Sequence, residues 1–136
     1  MDFDLQASVK NTSMAGLVKG PTDTSVNIQC FPLYSLLLAL GNPTVHYFSL
    51  DIEGAEMGVL KTIPWDKVDI WVISVETHMA GKVFPGTRDD IIEFMKSVGY
   101  RLLDWNEKGN KQDDLFVRED VGLSDQNQTV RERSEL

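Results

Sequence analysis

The sequence contains a single cysteine, Cys30, so no disulfide can close within the chain and no pair of thiolates can hold a metal. Basic residues are also scarce: 13 Lys and Arg stand against 21 Asp and Glu, a formal charge of −8. Contact with phosphates needs a clustered basic face, which this composition lacks, so nucleic acid is not an expected partner. Long apolar runs are missing as well. The longest lies in "FPLYSLLLALG", too short to span a bilayer and preceded by no basic segment. The start, "MDFDLQASVK", is acidic and polar, unlike a secretory signal. Taken as given, the chain reads as soluble, with no signal or membrane-spanning segment. Familiar catalytic templates are absent too: there is no GxSxG elbow, P-loop, HExxH or GxGxxG.

What is present is enough chain for one domain with a real core, 136 residues of which 42% are apolar. Residues 1–24 are polar and form a loose lead-in, and residues 121–136 form a disordered tail. Between them strand and helix patterns alternate. "VNIQCF" (26–31) has strand chemistry, which buries Cys30, and "LYSLLLAL" forms a helix that starts after Pro32 and stops at Gly41. "VHYFSL" (45–50) is a strand, "AEMGVLKTI" (55–63) a short helix, and "DIWVISVE" (69–76) a strand apolar on both faces. Thr87 caps a helix through "RDDIIEFMKSV", and "YRLLDW" and "DDLFVRE" pair as a hairpin. This order predicts an α/β fold with a mostly parallel sheet closed by an antiparallel hairpin, strands 45–50 and 69–76 being parallel neighbours.

Two of these strands end in acids, and ligands of open parallel sheets bind beyond the carboxyl ends of the strands. The first ends in Asp51 and Glu53, followed by Gly54; the second ends in Glu76 and His78. If the strands are neighbours, these side chains share one rim. Such a rim suits a divalent cation, a substrate hydroxyl or the proton of that hydroxyl. Asp51 and Glu53 serve equally well as caps for the helix that follows. Glu56 reads as a solvated charge on that helix, and His78 as a surface loop residue. The apolar approach to Glu76 makes a solitary charge there costly. Asp51, Glu53 and Glu76 are the candidate catalytic residues, and no residue is assigned as a metal ligand.

The stretch "FSLDIEGAEMGVLKTIPWDKVDIWVISVETH" resembles the carboxyl-terminal half of the FkbM methyltransferase family, with its apolar strand, Asp-x-Glu-Gly-x-Glu, short helix and second strand ending in Glu. The matching positions are Asp51, Glu53, Gly54, Glu56, Val59, Leu60 and Glu76, and "GYRLL" and "DDLFVRED" are similar to the closing strands. The resemblance covers roughly 26–120 and defines a partial domain over 25–120. It implies a Rossmann-like methyltransferase fold that uses S-adenosylmethionine (SAM) for O-methyl transfer. In the family, a glycine-rich loop and a ribose-binding acid lie upstream of the Asp-x-Glu-Gly segment. Too few residues precede Val26 to supply them here, so the cofactor-binding part is expected to be missing and SAM to bind weakly or not at all. Without the central first strand of such sheets, "VHYFSL" is left as an unpaired edge. Within the family, "FPLYSLLLALG" and "LKTIPWDKVDI" are similar to the arthropod protein Star and its relatives. That likeness implies a non-catalytic alternative, a module binding protein cargo at endoplasmic reticulum, Golgi or endosomal membranes.

Overall fold

The computed structural model describes residues 6–9, 15–18, 25–27, 29–103 and 112–122. In chain order the elements are β1 (Gln6–Val9), β2 (Ala15–Val18), β3 (Ser25–Asn27), α1 (Leu33–Ala39), β4 (Val45–Leu50), α2 (Glu56–Leu60), β5 (Ile70–Glu76), α3 (Arg88–Ser97), β6 (Tyr100–Leu103) and β7 (Asp113–Arg118). They build two sheets: a three-stranded antiparallel sheet in the order β2-β1-β3, and a four-stranded sheet in the order β4-β5-β7-β6. β1 and β2 fall within the polar segment before residue 25.

The four-stranded sheet grows from one β-α-β unit. β4 and β5 pair in parallel, from Val45 opposite Ile70 to Leu50 opposite Val75. α2 lies between them in sequence, and a crossover of this kind is what parallel neighbours require. β7 then adds antiparallel to β5, and β6 antiparallel to β7. The sheet is therefore mixed, and the expectation of a mostly parallel sheet is corrected: only β4 and β5 are parallel. The described chain contains a single helical crossover between paired strands, whereas the hairpin adds an antiparallel pairing on each side of β7. β4 forms an edge of this sheet.

Local sequence explains the ends of the helices. Gly41 takes φ 83° after α1, and the amide of Asn42 bonds back to the Leu37 carbonyl at 2.7 Å, closing the last turn. At α3, Thr87 Oγ1 accepts from the Asp90 amide while Asp90 Oδ2 accepts from the Thr87 amide at 2.7 Å, a reciprocal capping box. The expected strand over 26–31 is realised only as Ser25–Asn27. Cys30 follows that strand and is exposed, which corrects its reading as a buried core residue.

The core lies under the centre of the four-stranded sheet. Ile70, Ile73 and Phe116 meet Leu60 of α2 and Ile91 and Met95 of α3. Tyr100 is buried there and its hydroxyl donates to the Ile70 carbonyl at 2.7 Å. Trp65 packs edge-on to Tyr100 and donates its indole N–H to the Leu60 carbonyl at 3.0 Å, as a core residue should. This packing fixes the carboxyl ends of β4 and β5 against one another. No helix among the described residues is long and apolar enough to cross a membrane. Trp105, the loop between β6 and β7, and residues 123–136 of the predicted tail lie outside the described residues.

Candidate functional site

The register decides where the acids go. Leu50 is opposite Val75, so the next residues along the two parallel strands, Asp51 and Glu76, emerge side by side. After Asp51 the chain turns sharply: Glu53 takes φ 60° and Gly54 φ 100°. A left-handed glutamate is uncommon and marks a backbone held by its surroundings. Glycine is required at the next position, because a Cβ on Gly54 would lie 3.1 Å from the Met79 carbonyl oxygen. The turn delivers Glu56 back into the loop that precedes it. Its Oε1 accepts from the amides of Ile52 at 2.9 Å and Gly54 at 3.1 Å.

Glu56 is therefore no solvated charge. It is 0% exposed, and one of its oxygens braces the turn from inside. Sequence reasoning missed it by assigning a two-residue rim to each strand end. The only hint in the sequence was weak: Glu56 stands between the apolar Ala55 and Met57, both of which are buried.

Glu76 is 8% exposed, and its Oε1 accepts from the Met79 amide at 3.2 Å. Burial, reinforced by the nearby charges of Glu56, Asp51 and Glu53, pushes its carboxyl up to about 7, opposed only in part by that amide. One oxygen each of Asp51, Glu56 and Glu76 lie within 4.8 Å of one another. The second carboxyl oxygens of Glu56 and Glu76 are buried without a hydrogen-bond partner among the described residues. Of the predicted rim, the structure brings Asp51 and Glu76 together and adds Glu56. Glu53 stays outside the close trio but within electrostatic reach of Glu76. His78 is exposed and sits 3.2 Å from Lys82 Nζ, apart from the trio.

This disposition, a β-α-β unit whose two strands end in Asp-x-Glu-Gly-x-Glu and in Glu, is matched by the sequence model of the Methyltransferase FkbM domain over residues 2–102. The chain belongs to the FkbM methyltransferase family. The match reaches further toward the amino terminus than residue 26 and stops within β6, leaving β7 beyond it. No curated protein and no solved structure matches the chain significantly.

FkbM methyltransferases generally use SAM, so the described residues can be tested for fit. A cofactor cradle needs glycine backbone left bare for close approach. Gly54, Gly81 and Gly86 near the site all have positive φ; protein occupies the space where a side chain would be at Gly54 and Gly86, whereas at Gly81 a Cβ would meet only ordinary contacts. A Cβ would come within 3.1 Å of Met79 O at Gly54, 3.7 Å of Gly86 O at Gly81, and 2.7 Å of Met57 Cβ at Gly86. Neither Gly54 nor Gly86 leaves backbone bare for the close approach of a cofactor.

Proposed function

We propose that this chain acts on the acceptor side of FkbM-type O-methyl transfer, with Asp51, Glu53 and Glu76 holding the acceptor hydroxyl and taking its proton. The observation that carries this reading is the pair of adjacent strand ends that set Asp51 and Glu76 side by side, with a Glu76 oxygen left without a partner. A hydroxyl group entering there donates its hydrogen bond to that oxygen and satisfies it. In this chemistry SAM supplies the methyl group, and this chain's residues orient the group that receives it.

The test has two arms. Nuclear magnetic resonance titration with small polyols and sugars should move resonances of the 51–56 loop and of Glu76, and Asp51→Asn should abolish those shifts. Shifts that survive Asp51→Asn would contradict the acceptor role. Titration with SAM should give binding weaker than the roughly micromolar range usual for enzyme substrates. Saturable micromolar binding would refute the expectation of a missing cofactor-binding part and restore the reading of this chain as an enzyme.

A second reading is a non-catalytic module of the Star type that binds protein cargo. It is favoured by the apolar residues exposed on and beside α1 and β4: Phe31, Leu36, Leu38, Leu40 and Tyr47 are all at least half exposed. Tyr47 lies on β4, which among the described residues is an edge of its sheet, and exposed apolar groups of this kind suit a protein partner. Replacing Leu38 and Leu40 by Ser should abolish partner recovery under this reading and leave the hydroxyl titration unchanged.

A further inference from the structure

We propose that Asp51, Glu56 and Glu76 form a binding site for a divalent cation of the hard, oxygen-preferring class, Ca2+, Mg2+ or Mn2+. The donor set is all carboxylate oxygen, the chemistry that suits these ions and not zinc or copper. One oxygen from each residue lies within 4.8 Å of the others. Opposite oxygens around bound Ca2+ are about 4.6–5.2 Å apart, and around Mg2+ about 4.0–4.2 Å, twice their usual ligand distances. Three oxygens on one ion cannot all be opposite one another, so the trio, within 4.8 Å, closes inward on either ion, less for Ca2+ than for Mg2+.

Acidic clusters are common on protein surfaces, and two features set this one apart. Glu56 and Glu76 are buried, and each leaves one oxygen with no hydrogen-bond partner among the described residues. Buried polar atoms are nearly always satisfied, so two orphaned carboxyl oxygens in one cluster call for a missing positive partner. The charges that act on Glu76 come from Glu56, Asp51 and Glu53, and all have the same sign. The remaining oxygens are held in place: Glu56 Oε1 by the Ile52 and Gly54 amides, and Glu76 Oε1 by the Met79 amide. Outer bonds of this kind fix ligands before an ion arrives.

Asp51 is exposed, so the ion would keep water positions on the solvent side. An acceptor oxygen displacing one of those waters would be acidified by the ion, leaving Glu53, outside the trio, to receive its proton. That last step rests on the acceptor-side reading above, whereas ion binding itself does not.

Isothermal titration of the full chain with CaCl2, MgCl2 and MnCl2, without SAM or acceptor, tests the site separately from methyl transfer. At least one ion should bind saturably with a dissociation constant on the order of 10⁻⁴ M or tighter. Asp51→Asn, at an exposed position where folding is not at risk, should weaken that binding at least about tenfold, as loss of one of three ligands implies. Glu56→Gln, which keeps an oxygen for the two amides, should do the same. The proposal is overturned if none of the three ions binds, or if binding persists unchanged in Asp51→Asn.

Discussion

Two buried acids stand within one strand spacing of each other, and the protein treats them in opposite ways. Asp114 on β7 is 4% exposed and opposite Val75 of β5. It accepts from Arg88 Nε at 2.6 Å, from Arg88 Nη2 at 2.8 Å and from Thr77 Oγ1 at 2.8 Å. Glu76, one residue further along β5, is nearly as buried, yet it has a single backbone donor, acids around it and an oxygen left over. The same sheet end thus carries one acid whose charge is matched within the fold and one whose charge is not. An acid matched by its own chain ties elements together. An acid left unmatched among the described residues is a candidate for binding a group from outside.

The comparison can be broken first at its satisfied half. Arg88→Met removes the half-exposed cation and strands a buried carboxylate, which should lower unfolding free energy by about 2–3 kcal/mol. A shift of the guanidinium midpoint to lower denaturant, with unchanged slope, is the readout. A loss no larger than an exposed ion pair gives would mean that Asp114 is held by Thr77 alone.

A smaller effect is expected at the turn that sets the unmatched half. Gly54→Ala forces a side chain into φ 100° and to 3.1 Å from the Met79 carbonyl oxygen. It should cost about 1–2 kcal/mol, through backbone strain and displacement of the Met79 loop. Because that turn carries the amides that hold Glu56, ion binding should weaken in parallel. Thermal melts together with the cation titration would check both.

A third expected effect is the pH dependence. The folded state raises the Glu76 carboxyl from 4.5 to about 7, so folding favours the protonated form. The associated stability is fully present below pH about 4.5 and is lost as pH rises through about 7. With a chelator present, wild-type protein should lose stability across that window relative to Glu76→Gln, as read from midpoints at successive pH values. Parallel curves would show that Glu76 titrates like a solvated acid.

Much of this architecture was legible in the sequence because local rules agreed with the global fold. The two-sided apolar run "IWVISV" announces a covered strand, and its nearness to "VHYFSL" leaves parallel pairing across α2 as the simple solution. Thr87 and Asp90 write their capping box in plain spacing. Asp51 and Glu76 followed from that pairing. Glu56 did not, because its burial depends on a turn in which Glu53 takes a left-handed conformation that its side chain does not advertise. The mixed character of the sheet was half visible: the hairpin was expected, but inserting β7 between β5 and β6 makes the antiparallel pairings outnumber the parallel one. Cys30 was misplaced because an apolar run was read past the end of a short strand that stops at Asn27.

The account rests on Glu76 being surplus to the fold while Asp114 is necessary to it, and paired substitutions measure that directly. Asp114→Asn and Glu76→Gln are to be unfolded in guanidinium at about pH 8, where Glu76 is mostly ionised, with chelator present. Asp114→Asn should be destabilised, because the Arg88 guanidinium loses its counter-charge. Glu76→Gln should be stabilised by about 1 kcal/mol, since the amide oxygen keeps the Met79 bond while the repulsion from Glu56 and Asp51 is removed. If Glu76→Gln instead loses stability to the same degree as Asp114→Asn, Glu76 is a structural acid and the carboxylate trio is no site.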